Sequence, residues 1–382
     1  LNVHMGSLED SIRTKLIPAL FGDKDVMSDD ERALYALPAR FGGLAIDNPQ
    51  IDSQTKFLES VELTGALKLL ILSSEREWKV DEAEQKKLKA MIKLRREIEY
   101  KKSADELKKG FDSEIRRAMT LAQEKGASAL LTVLPLAKYG FAFTSKRDFR
   151  DLLRMRYRKR IDRLPSTCVC GATYTLDHSQ ICLKGGFIHM RHDEPKKLFA
   201  ESAKEIFHDV EIEPLLEPLT GEVLDKKTAK RNDDARSDVR VRGFWGNKQN
   251  AFFEFRVFYP FASSYISKEP SALFQQFAST RKAQYEQRIN EVDSGYFTPM
   301  IMSSTGSMGP EMYTAVKHLA VLLAEKRKEP YVHVIGLLRC RFSFAMMRAA
   351  LVCLRGSRSI YRRVKIDSTS LAFEELRLDK VE

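Results

Sequence analysis

The sequence predicts a mixed α/β protein: a mostly helical N-terminal half, a short cysteine–histidine cluster, then a small mixed sheet flanked by helices. Three observations carry this expectation. Between residues 74 and 126, Glu and Lys recur at three- and four-residue spacing, the pattern of solvated helices with i,i+4 pairs. Past residue 235, RSDVRVRGFW and AFFEFRVFYPF alternate strictly and read as a strand pair. Helical patterns stand before and after those strands, an order in which helices cover a small sheet.

In chain order, residues 1–70 show short helical patterns broken by ALPARFGGLAIDNPQ, where Pro38, Gly42, Gly43 and Pro49 mark a structured loop. The charged stretch that follows reads as a helical connector or arm. SKRDFRDLLRMRYRKRIDRLP comes next. Phe149, Leu152, Leu153, Tyr157, Ile161 and Leu164 fall on one helical face. Arg147, Arg150, Arg154 and Arg158 fall on another, which suits phosphate contacts; the alternative is a merely solvated face. HDEPKKLFAESAKEIFHDV reads as a helix turning Leu198, Ala203, Ile206 and Phe207 inward, and VEIEPLLEPL begins as a strand. PSALFQQFASTRKAQYEQRINEV is a helix, and two more are expected near 310–328 and 341–355. SSTGSMGPEMY, at 303–313, is a connecting loop with a helix cap and a possible contact to a DNA backbone. Phe252, Phe253 and Phe255 are expected in the core, and LRGSRSIYRR is a glycine cap followed by a basic tail.

Composition bounds the function. The 382 residues allow two or three domains, and 43% hydrophobic with 31% charged content describes a globular chain rather than a disordered one. The 64 basic against 53 acidic residues leave +11, which favours a polyanionic partner, nucleic acid first. An acidic membrane stands second on charge alone; no apolar run reaches the ~18 residues of a membrane span, and the expected partners are nucleic acids with no membrane among them. LNVHMGSLED lacks the features of a signal peptide and starts with Leu1, so a piece of a longer protein is expected. Five cysteines in two groups point to a reducing compartment.

Cys168, Cys170, His178 and Cys182 are spaced C-x-C-x7-H-x3-C. Three thiolates and an imidazole complete a tetrahedral zinc shell with no open position, which marks a structural rather than a catalytic site. Cys340 and Cys353 lie in apolar helical runs and read as core. Chemistry is therefore expected elsewhere. Asp238, Arg240 and Arg242 share one strand face, and Glu254 and Arg256 share one on the next strand. Two acids so placed can hold Mg²⁺ or Mn²⁺ and activate water against a phosphodiester. The alternative is two strands with charged outer faces.

The ordered set of CCHC cluster, RHD, SD, E-x-R and a helix bearing RKAQY resembles the C-terminal region of site-specific non-LTR retrotransposon proteins. Those join a reverse transcriptase, a CCHC zinc knuckle and a restriction-like endonuclease of the PD-(D/E)xK type. The resemblance is best from Arg147 to Tyr285, and ALPARFGGLAI resembles the segment that follows the polymerase. No Y-x-D-D motif occurs, so the polymerase is absent from this chain.

The resemblance implies a helical linker over 1–135, the basic helix and knuckle over 136–185, and a restriction-like endonuclease over 186–382. It matches Arg191, His192 and Asp193 to a basic-His-Asn/Asp element, with Arg191 and His192 touching nucleic acid. Asp238 matches the aspartate of PD, with Ser237 replacing the proline, and Glu254 matches the second acid. Arg256 stands where the motif has lysine; it stays protonated and cannot take a proton from water. Lys282 on the following helix is the expected substitute, with Tyr285 beside it, and Glu201 or Glu205 is a possible third carboxylate. Implied with these are structural zinc, catalytic Mg or Mn, a DNA target, the element's RNA, and a reverse transcriptase in the full-length protein. The expected activity is nicking of nuclear DNA to prime reverse transcription. A non-catalytic, zinc-dependent nucleic-acid-binding protein with a degenerate nuclease fold is the alternative. Whether the carboxylates of Asp238 and Glu254 converge separates the two.

Overall fold

A computed structural model describes residues 2–22, 27–73, 81–134, 139, 141, 145–216, 236–356 and 358. Most of the acidic stretch before Asp238 and most of the basic tail lie outside the described residues. The chain is mixed α/β and divides into two compact units, Leu1–Gln123 with Arg156–Lys159, and Glu124–Met155 with Arg160–Glu382.

The first unit is helical: α1 (Gly6–Ser11), α2 (Ile17–Phe21), α3 (Asp29–Ala36), α4 (Pro49–Leu72), α5 (Glu82–Gly110) and α6 (Ser113–Ala122). Ser28 and Glu31 cap α3 reciprocally, each side chain holding the other's backbone N–H. The predicted loop after α3 is tightly built. Leu44 N–H donates to Tyr35 O (3.1 Å) and Ala45 N–H to Leu37 O (2.9 Å). A Cβ on Gly43 would lie 1.8 Å from Leu37 O, so only glycine fits. Arg32, buried, clamps this loop: it grips both Glu9 carboxylate oxygens (2.7 and 2.8 Å) and the carbonyls of Ile46 and Asp47 (2.9 Å each). Pro49 then opens α4 at a position where its missing N–H costs nothing, under an Asn48 cap.

The second unit holds α7 (Ala129–Thr132), α8 (Lys146–Arg156, its last residue assigned to the first unit), α9 (Leu176–Ile181) and α10 (Phe187–Lys204). Then come β1 (Val210–Ile212), β2 (Val239–Arg242), β3 (Asn250–Phe258), α11 (Pro270–Glu291), β4 (Tyr296–Ser303), α12 (Pro310–Arg327) and α13 (Tyr331–Arg355). The sheet order is β1-β2-β3-β4, antiparallel except for the parallel β3–β4 pair that α11 connects. The expected strand pair is β2 and β3. β4 was not anticipated: Pro299 argues against a strand, but β4 is the edge of the sheet, where proline is tolerated.

The sheet is covered on both faces. Val239, Val241, Phe253, Phe255, Met300 and Met302 face Phe199 of α10 and the inner sides of α12 and α13. Phe258 and Ile301 face Leu273, Phe274 and Phe277 of α11 on the other side, and Phe252 meets Ile289 there. Phe252, Phe253 and Phe255 are thus core residues. The helix carrying the arginine row stops at Arg156, short of Leu164, and Arg158 follows it with a left-handed backbone (φ 55°).

Candidate functional site

The cysteine–histidine cluster forms locally. Gly171, at φ +89°, makes the tight return that lets Cys168 N–H reach Ala172 O (2.8 Å). Thr175 caps α9 by accepting from His178 N–H (3.0 Å), and Cys182 ends that helix. The ligand atoms of Cys168, Cys170, His178 and Cys182 lie within 4.8 Å of one another, so the group could hold a metal ion. Its donor set fits zinc. His178 presents Nε2, 3.4 Å from Cys170 Sγ. The cluster is fastened to the second unit: Tyr259 donates to Asp177 (2.5 Å), Tyr174 to the Leu354 carbonyl (2.7 Å), and Gln180 to the Ala350 carbonyl (3.1 Å).

The second cluster is acidic and basic together. The β2–β3 register pairs Val239 with Phe253, so Asp238, one residue before the strand, stands opposite Glu254. Cross-strand neighbours in an antiparallel pair have Cβ atoms ~5 Å apart. Phe255 N–H donates to Asp238 Oδ2 (2.7 Å), which fixes that carboxylate against β3. Helix α10 supplies the cations. His192 Nε2 lies 3.4 Å from Asp238 Oδ2 and 3.0 Å from Phe255 O, and His192 Nδ1 is 3.3 Å from Asp193. Lys196, one turn on and buried, is 2.9 Å from Asp193, 2.9 Å from Glu213 and 3.8 Å from Asp238. From α11, Arg281 reaches Glu254 at 3.5 Å.

These neighbours set the charges. Burial, and after it the negative charge of Asp238, push the Glu254 carboxyl up to about 8, against the opposing pull of Arg281 and His192. Burial alone would lower His192; hydrogen bonds to Asp193 and Asp238 more than offset that and carry it to about 10. Burial would raise Asp193, but His192 and Lys196 hold it at about 2. Burial and the paired charges thus favour the neutral form of Glu254 and the charged form of His192.

Several expected residues sit differently. Lys282 does not turn to Glu254: its ammonium pairs with Glu311 (3.4 Å) and lines a cavity of about 370 Å³ with Trp245, Phe297 and Thr298. The reason is rotation around α11. Phe274, Phe277 and Ala278 face the sheet, and seven residues on from Phe274 and Ala278 come Arg281 and Tyr285, leaving Lys282 at the flank. Tyr285 does lie near the acids, its phenol pushed up first by burial and then by Glu254, and it stacks on Phe297. Arg256 lies over the Phe277 ring (4.0 Å) and, among the described residues, forms no ion pair with Glu254. Glu201 adds no third carboxylate: it is exposed and acts on Glu194, along another face of α10. Glu205 pairs with Arg327 (2.6 Å).

The arginine row is likewise not a uniform phosphate face. Arg147 and Arg150 are exposed, but Arg154 is buried and pairs with Asp162 (2.6 Å), and Arg158 pairs with Glu114 (3.0 Å). Arg191 is buried, donating to the Gln180 carbonyl (3.0 Å), and burial lowers its pKa; its guanidinium ties α10 to the cysteine–histidine cluster rather than lying on the surface. His192 touches Asp238 instead. Lys196 and Arg281 were missed by sequence reasoning. Lys196 follows His192 by four residues, one helical face, and Arg281 follows from the apolar phase of α11.

No protein-family model matches this chain, and no curated protein matches it.

Proposed function

We propose that the second unit is a metal-dependent DNA endonuclease module, of the restriction-like kind, within a retrotransposon-derived protein. The observation that carries this is the convergence of Asp238 and Glu254 on adjacent strands, bordered by Lys196, Arg281 and His192. A carboxyl kept protonated by burial and by a neighbouring carboxylate is one that a cation would relieve. Asp238 and Glu254 would hold Mg²⁺ or Mn²⁺, which when bound would supply an activated water and screen the phosphate. Lys196 and Arg281 offset charge developing on the phosphoryl oxygens. His192, protonated, orients Asp238 and cannot accept the proton of water. The cysteine–histidine clip, holding zinc, braces α9 and α10 behind this centre. In the intact protein, joined to a reverse transcriptase, the nick would prime copying of the element's RNA in the nucleus.

Plasmid nicking with Mg²⁺ tests the assignment. The parent chain should nick, Asp238→Asn and Glu254→Gln should not, and Arg281→Ala should lose far more activity than Lys282→Ala. Equal nicking by all would refute the site. The second reading, a zinc-dependent DNA-binding protein without catalysis, draws on one observation: Asp238 is already engaged by Phe255 N–H, His192 and Lys196. Zinc-dependent DNA binding that needs no Mg²⁺, without nicking by any variant, would favour it.

A further inference from the structure

The stretch 303–313, expected to be a connecting loop, leads to an unusual cluster. Tyr313 on α12 is approached by three cations from three segments: Lys125 Nζ at 4.9 Å from the ring centroid, Arg339 Cζ of α13 at 4.7 Å, and Lys317 Nζ, one turn along α12, at 5.6 Å. Arg339 also donates to the Tyr313 hydroxyl and leaves its Nε without a hydrogen-bond partner. Among the described residues none of the three forms an ion pair. Some other cations of this unit do find acids, as Arg355 finds Asp151 (2.7 Å) and Arg240 finds Asp209 (3.0 Å) and Glu211 (2.9 Å).

The cluster is built, not incidental. Lys125 is placed by its neighbour Gly126, which has φ +95° and accepts from Ser343 Oγ (2.9 Å). A Cβ there would lie 2.7 Å from Gly306 O. The close passage of Gly126 and Gly306, which only glycines allow, thus brings Lys125 to the ring. Cation–π attraction holds the charges near the ring without neutralising them. Three uncompensated positive charges around one anchored ring call for an external anion.

We propose that Lys125, Lys317 and Arg339, gathered on Tyr313, grip the phosphodiester backbone of duplex DNA; the choice of DNA rests on the nuclease reading above. The contact is to phosphates, so it sets affinity and register without reading sequence.

The test separates binding from cutting. Labelled duplex is titrated with the zinc-loaded full chain carrying Asp238→Asn, with no chelator and no added Mg²⁺ or Mn²⁺, and affinity is followed by fluorescence anisotropy across about 50 to 200 mM salt. Lys125→Gln and Lys317→Gln should each reduce the slope of log K against log salt by about 1, alike on unrelated sequences, with the double variant losing both. Both lysines are exposed, so melting should be unchanged, and Lys317→Arg should restore the slope. An unchanged slope in the double variant, or absence of duplex binding altogether, would overturn the proposal. So would a loss seen on single-stranded RNA of the same sequence but not on duplex. An unchanged slope beside intact nicking by the parent defeats this contact alone; a reduced slope without nicking leaves the contact standing and defeats the nuclease.

Discussion

Replacing Glu254 by Gln removes one titrating proton from the middle of β3 while keeping the side chain's shape. In the folded chain this carboxyl is pushed up to about 8, from an ordinary 4.5, by burial and by Asp238 across the strand pair. Between those values the folded state binds more protons than the unfolded state, so stability falls as pH rises. The stabilising contribution is complete below 4.5 and lost through about 8. At ~1.36 kcal/mol per decade the full gap sets a ceiling of about 5 kcal/mol. The effective dielectric near buried groups is nearer ~20 than ~4, so we expect about 2–3 kcal/mol. His192 loses its proton at about 10 and adds a loss of the same sign in both proteins. The assay is urea unfolding in EDTA at about pH 5 and about pH 9, read from Trp245 fluorescence in a Trp78→Phe background. The Gln variant should gain on the parent by those few kcal/mol between the two conditions. Curves that stay parallel within about 0.5 kcal/mol would refute the claim that Glu254 holds its proton, and with it the crowding of the two acids.

Three further outcomes are expected. Lys196→Met strips the buried cation from Asp193, Glu213 and Asp238; unfolding of the second unit should become easier by about 3–5 kcal/mol near neutral pH, with a smaller loss where the carboxylates are protonated. Gly43→Ala forces a Cβ onto Leu37 O, and the first unit should melt earlier, by about 3 kcal/mol in urea titration. Cys182→Ser removes one of four converging ligands; bound zinc, measured by elemental analysis of the purified chain, should drop from one per chain towards none. A chelator should loosen α9 without changing the β2–β3 pairing seen by amide exchange.

What could be read in the sequence was whatever depends on local periodicity. The alternation in β2 and β3 announced two strands and put Asp238 and Glu254 on equivalent faces, because a strand's side chains repeat every two residues. The C-x-C-x7-H-x3-C spacing announced its ligand set because a turn and one short helix close it without distant partners. Tertiary structure decided the rest. Lys282 or Arg281 is a matter of 100° about α11, settled by which apolar residues the sheet accepts. β4 became a strand because β3 offered it a parallel partner at the sheet edge, although its own Pro299 argues otherwise. Arg154, Arg158 and Arg191 look alike in sequence to phosphate-binding arginines; their carboxylate and carbonyl partners come from packing, and packing consumed them. The cluster at Tyr313 joins residues more than 200 positions apart, Lys125 to Arg339. No periodicity encodes that meeting; it follows from two glycine backbones passing within contact of each other.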